Sequence, residues 1–135
     1  MYQQYHLSHT DAFKIIAALQ AELEKAAKGA AVAVVDAQGE LIAFLRTDGC
    51  RLSSITIALN KAFTAAREQK ESKAVGQSSR EKQSPMTNFG DLRYTAWGGG
   101  VPIIYNGHVV GAVGVSGLSE AEDMVLARMG TELID

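Results

Sequence analysis

Val101-Pro102-Ile103-Ile104-Tyr105-Asn106-Gly107-His108-Val109-Val110-Gly111-Ala112-Val113-Gly114-Val115 carries the strongest local signal in the chain. Two apolar runs flank Asn106-Gly107, and a two-residue type I′ turn needs φ > 0 at both central positions, which Asn and Gly tolerate best. The stretch reads as an antiparallel hairpin, with Ile104 and Val110 on adjacent strands. Gly111, Gly114 and Gly117 stand three apart. Glycines in a strand mark bulges or close approach by another element, a ligand or a neighbouring subunit.

Working outward from this hairpin, a second one lies upstream. Ala31-Val32-Ala33-Val34-Val35 and Leu41-Ile42-Ala43-Phe44-Leu45 are apolar runs joined by Asp36-Ala37-Gln38-Gly39-Glu40, a link with turn chemistry. Both runs are almost wholly apolar, as expected where both faces of a sheet are covered. Helical periodicity fills the spaces between. Ser8 to Lys28 reads as a helix capped by Ser8, with Asp11 at capping-box distance, an apolar stripe of Phe13, Ile16, Leu19, Leu23 and Ala27, and Gly29 as its stop. A second helix spans about Ser53 to Gln69, its core stripe being Ile55, Leu59, Ala62, Phe63 and Ala66, with Asn60, Lys61 and Thr64 nearer the flank. A last helix starts near Ser119, with Glu122 at capping-box distance, and carries Met124, Val125, Ala127, Arg128 and Met129.

Residues 70–97 differ. Polar sequence from Glu71 to Ser84 admits a short helix starting at Ser72, and Pro85 to Gly100 then sets Phe89, Tyr94 and Trp97 among glycines and polar residues. Long connections in small domains are commonly functional. Two hairpins separated by helices predict an α+β fold, an antiparallel sheet with helices on its faces.

The 135 residues fit one domain, 1–135, with 47% hydrophobic and 21% charged residues, an ordinary globular balance. A net charge of −2 with interspersed signs gives no electrostatic case for nucleic acid or an anionic membrane surface. Cys50 is the single cysteine, so neither an internal disulfide nor a multi-thiolate zinc site is available. No cationic and apolar leader opens the chain and no run spans a bilayer, so a cytoplasmic protein is expected.

Several chemistries fail on their motifs. Gly114-Val115-Ser116-Gly117 falls one residue short of Gly-x-Ser-x-Gly, no P-loop exists, and Gly98-Gly99-Gly100 precedes a strand where a dinucleotide fingerprint would precede a helix. His6 and His9, three apart at the mouth of the first helix, could ligate a metal or haem iron, or could be solvated residues beside a frayed end. His108 follows a tight turn and reads as exposed. Lys61, in an otherwise apolar neighbourhood, suits a carboxylate or propionate, and equally suits a snorkelling surface lysine. Arg46 and Asp48 close the second strand, as rim residues of a site or as a local ion pair. Phe89, Tyr94 and Trp97 would suit a planar ligand, anchor the loop, or bury a subunit contact. Nothing visible lowers the pKa of Cys50.

Two blocks carry a family resemblance. Val34 to Gly49, continued by Ser54, Ile55, Ala58, Lys61, Ala62, Thr64 and Ala65, is one. Gly99 to Ile103, with Gly107, Val110 to Gly117 and Glu120 to Asp123, is the other. Together they closely resemble the GlcG/HbpS pattern over nearly the whole chain, with residues 70–97 the point of departure. The resemblance implies a profilin-like arrangement of about five antiparallel strands with helices on both faces, the fifth strand falling at Tyr94 to Trp97. It also implies a homo-oligomer. Members are described as haem-binding or haem-degrading, and similar domains follow the adenosyltransferase part of PduO-type proteins in glycerol and diol utilisation. Others are encoded beside glycolate oxidation genes.

Haem is the cofactor so implied; of the three imidazoles His9 is preferred over His6 as its ligand, because it lies just inside the capped turn and His6 among the frayed residues before Ser8. Lys61, Arg46 or Arg93 would meet the propionates, and Trp97 would face the macrocycle. The functional expectation is a small-cofactor, haem-binding sensor, escort or scavenger. Two others stand beside it: an enzyme acting on a small hydroxy acid, diol or tetrapyrrole, with Lys61 and Arg46 or Asp48 holding a carboxylate, and an accessory assembly protein.

Overall fold

A computed structural model describes residues 1–135. Its elements are α1 (His9–Ala26), β1 (Ala31–Asp36), β2 (Leu41–Arg46), α2 (Ser53–Glu68), α3 (Ser72–Glu81), a 3₁₀ turn (Met86–Phe89), β3 (Gly100–Tyr105), β4 (His108–Ser116) and α4 (Glu120–Thr131). The strands form one antiparallel sheet in the order β2-β1-β4-β3.

Both hairpins form. Asn106 and Gly107 take φ of 50° and 76°, the pair of positive values that the turn demands. Ile104 and Val110 do lie on adjacent strands. The residue directly opposite Ile104 is Val109, because a bulge between Ile103 and Ile104 leaves Val110 unpaired. β1 is buried along nearly its whole length, but β2 is only half-buried, since it is an edge strand. The expectation that both runs are covered on two faces therefore holds for β1 alone.

Helices cover both sheet faces. On one face α1 and α4 bury Ile15, Leu19, Leu23, Leu126 and Ala127 against Val32, Val34, Val113 and Val115. Truncating Ile15 or Leu19 to alanine in such a core costs about 2–5 kcal/mol. On the other face α2 lays Ala58, Ala62, Ala65 and Ala66 against Ala31, Ala33, Val35 and Ala112. This second layer is made of small residues, and helix and sheet backbones nearly touch. A Cβ on Gly114 would meet the Ala62 amide nitrogen at 2.6 Å and run into the Ala58 carbonyl oxygen. The glycine spacing in β4 thus serves close approach within the chain itself.

That closeness corrects the reading of α2. Lys61 and Thr64 are not flank residues: they are 3% and 0% exposed, because a helix pressed onto a sheet buries the positions beside its contact line. In α1 the buried stripe is Ala12, Ile15, Ile16, Leu19 and Leu23, whereas Phe13 points outward. In α4 the stripe is Asp123, Leu126, Ala127 and Gly130, with Val125 and Met129 exposed.

The end signals were half right. Ser8 caps α1 by accepting the Asp11 N–H at 3.1 Å, and Ser119 and Glu122 form a reciprocal capping box on α4. Gly29 does not end α1; Ala27 does, with φ of 54°. The glycine is needed because a Cβ there would sit 2.5 Å from the Cys50 amide nitrogen. The short helix from Ser72 forms, whereas Tyr94 to Trp97 is irregular and the sheet has four strands. Tyr94 is withdrawn from strand pairing by its ring, stacked on Phe89 at 4.1 Å and edge-on to Phe63 at 5.2 Å.

Candidate functional site

The candidate residues fall into separate clefts. The first is formed by the segment before α1, the end of β3 and the C-terminal residues after α4. Leu7 N–H donates to the Val110 carbonyl at 2.8 Å, so the N-terminal segment lies against β4 as an ordered strap. Beside it a cleft of about 330 Å³ is lined by Tyr5, His6, Leu7, Lys14, Tyr105 and Leu133, among others. His6 Nδ1 stands 3.7 Å from Asp36 Oδ2, at the end of β1. Asp36 itself is held by its Oδ1, which accepts the Gln38 and Glu40 N–H groups at 2.8 and 3.1 Å. At that distance the carboxylate is an electrostatic neighbour of the imidazole and not a hydrogen-bonded partner.

His9 is the first residue of α1 and is exposed. It shares the outward face with Phe13, four residues on, which is 69% exposed and forms no apolar pocket beside it. His108 is exposed as expected, and it borders a cleft of about 420 Å³ with Tyr2, Tyr5 and Ile104.

Lys61 and Trp97 do come together, in another cleft of about 390 Å³ shared with Arg51, Ser54, Ser116, Glu120 and Asp123. Lys61 is already engaged there. Its Nζ donates to Asp123 Oδ2 at 3.0 Å and to the Val115 carbonyl at 2.9 Å, and both side chains are almost fully buried. Burial pushes the Asp123 carboxyl above the usual carboxylate range, and its bond to Lys61 works against that push. The lysine is therefore neither a snorkelling surface residue nor a free cation.

The remaining residues stand apart. Arg46 and Asp48 line a cleft of about 270 Å³ against the end of α1, without an ion pair between them. Arg93 donates to both Asp91 oxygens, and its guanidinium lies 4.0 Å from the centre of the Phe63 ring. The bond from Arg93 holds the Asp91 carboxyl down to about 2. Tyr94 packs on Phe63 of α2 and on Phe89, while Trp97, 60% exposed, is the most open of the three loop aromatics. Burial raises the Cys50 thiol, in keeping with an inert cysteine.

The sequence reading missed Asp36 and Asp123, the partners of His6 and Lys61. For Asp123 a signal existed: the alanine run in α2 facing glycines in β3 and β4 implies close packing, and a buried lysine requires a carboxylate.

A four-stranded antiparallel sheet with this helix order and helices on both faces defines a small α+β class of protein. Residues 7–132 match the family model described as haem degrading protein HbpS-like, and the chain belongs to that HbpS-like family. GlcG of Escherichia coli K12 is 36% identical over 110 residues, covering 82% of this chain and 81% of its own. The crystal structure of a double mutant of Streptomyces reticuli HbpS superposes with a TM-score of 0.89 at 28% identity, over 100% of this chain and 91% of that one. The crystal structure of a PduOC–haem complex shares the fold, with a TM-score of 0.87 at 23% identity, over 96% of both chains.

Proposed function

We propose that this chain is a haem-binding accessory protein, a sensor, escort or scavenger, that holds the cofactor in the cleft beside its N-terminal strap with His6 as axial ligand. The observation that carries this reading is the His6–Asp36 contact at 3.7 Å on the edge of a cleft lined by Leu7, Tyr105 and Leu133. The donor set offers haem an imidazole with a carboxylate nearby and aromatic and aliphatic walls, and Lys14, which donates to the Leu133 carbonyl at 3.0 Å, is the one cation beside the Asp11 and Asp135 carboxylates.

When bound, haem supplies the redox and gas-binding chemistry of its iron. The protein's part is to set the Asp36 charge beside the imidazole, to shed water from the apolar wall, and to fix the cleft rim through the Leu7–Val110 bond. Membership in the HbpS-like family and likeness to a haem-complexed structure support the cofactor. The cleft is shallow for a macrocycle, and a second copy of this chain would complete it. Exposed Tyr5, Tyr105 and Phe13 on this side favour such self-association.

Haemin titration followed at the Soret band tests the reading. Wild type gives a saturable shift, His6→Ala loses it, and His9→Ala keeps it. Loss in His9→Ala alone would move the ligand to His9, and no saturable shift in wild type would end the haem assignment.

A further inference from the structure

The cleft at the start of α2 shares no lining residue with the one around His6, and its chemistry differs. Four charged residues line it: Arg51, Lys61, Glu120 and Asp123. Three of them are neutralised. Lys61 pairs with Asp123 at 3.0 Å, and Glu120 pairs with Lys73 at 2.6 Å while accepting the Gly98 N–H at 2.9 Å. Arg51 alone has no carboxylate partner, so the cleft carries one uncompensated positive charge.

The backbone adds to it. α2 begins above this cleft at Leu52 and Ser53, with no side chain capping it and no acidic residue in its first turn. Its Ser54 and Ile55 N–H groups donate to the Arg51 and Leu52 carbonyls at 3.1 and 3.2 Å, so what this helix end offers the cleft is its positive dipole. α4, by contrast, is closed at its start by the Ser119 box.

A second observation, independent of the helix end, points to a ligand. Ser116 is 5% exposed and lines the cleft, and its hydroxyl makes no hydrogen bond within the protein. Every fully enclosed side-chain polar atom in the structure has a partner, so the Ser116 oxygen must be the part that opens into the cleft. Lys61 likewise spends two of its three N–H groups, on Asp123 and on the Val115 carbonyl. The rim is rigid: Ser72 Oγ donates to the Trp97 carbonyl at 2.7 Å, holding the indole-bearing residue over the opening.

The geometry points to a binding site for a small monocarboxylate, its carboxylate taken by Arg51 and the Ser116 hydroxyl beside the positive end of α2, with Trp97 at the mouth. A single unpaired cation matches a monoanion and leaves the second charge of a dianion such as phosphate unanswered. A volume of about 390 Å³ accommodates a small carboxylate.

Trp97 is the only tryptophan, so its emission reports on this mouth without labelling. The apo protein is titrated with sodium acetate, sodium lactate and inorganic phosphate at constant ionic strength, reading Trp97 fluorescence and thermal midpoint in parallel. Acetate or lactate gives a saturable change in at least one readout, and phosphate binds at least ten-fold more weakly. Arg51→Ala weakens carboxylate binding about ten-fold or more and Ser116→Ala about three-fold or more, both with unchanged far-UV circular dichroism. Arg80→Ala, an exposed arginine on α3, binds as wild type does. No saturable response to either carboxylate, equal affinity for phosphate, or wild-type binding by Arg51→Ala and Ser116→Ala together would overturn the assignment. Because His6 takes no part here, His6→Ala leaves these affinities unchanged.

Discussion

Lys61 Nζ lies 3.0 Å from Asp123 Oδ2, joining residues 62 positions apart on two helices that sit on opposite faces of the sheet. Nζ also holds the Val115 carbonyl, and Asp123 Oδ1 accepts the Leu118 N–H at 3.1 Å. One ion pair thus ties α2, the end of β4 and the start of α4 together beyond the sheet's last hydrogen bond.

Breaking this pair from one side strands a buried charge. Lys61→Met is expected to lose about 3–5 kcal/mol of stability, and the double variant Lys61→Met with Asp123→Leu to lose less than the sum of the single changes. Urea unfolding measures all three. A Lys61→Met loss below about 1 kcal/mol would mean that water reaches Asp123 and the pair is not structural.

Glu122 gives a pH dependence of defined sign. Its bonds to Lys28 and to Ser119 lower its carboxyl from 4.5 to about 2. A depressed carboxylate stabilises fully above its unfolded value of 4.5 and loses that contribution as pH falls toward 2. The stability difference between wild type and Glu122→Gln should therefore be present at neutral pH and shrink through this window. A difference that is flat or grows in acid would contradict the assignment.

On the proposed haem reading, Asp36 would act on the cofactor through His6. Asp36→Asn keeps an oxygen for the Gln38 and Glu40 amides but removes the negative charge behind the imidazole. Haemin affinity is expected to fall about 10-fold or more, with the Soret maximum of the saturated complex changed. A purely structural role for Asp36 would lower thermal stability and leave both the affinity and the spectrum in place.

Self-association is expected from the outward apolar residues, among them Phe13 at 69% and Ile104 at 59% exposure. Light scattering at micromolar concentration should return a multiple of 14.4 kDa. A mass of one chain would place the whole haem contact on a single protomer.

What the sequence by itself determined was local. Asn106-Gly107 dictated a hairpin because two adjacent positive φ angles have few other residue solutions. Ser8 and Ser119 marked helix starts because a cap acts on amides only three residues away. The two apolar runs around Asp36 to Glu40 likewise paired as read. The candidate sites were less legible. His6 and Lys61 could be singled out as residues, but their roles depend on Asp36 and Asp123, which lie 30 and 62 positions away. Whether Lys61 is buried depends on how closely α2 approaches Gly114, and whether Phe13 faces in depends on a rotation of α1 by one position. The direction of a helix face, the depth of a side chain and the partner of a charge are set by packing between elements distant in the chain. Periodicity fixes a stripe, while only the assembled layers fix what the stripe meets.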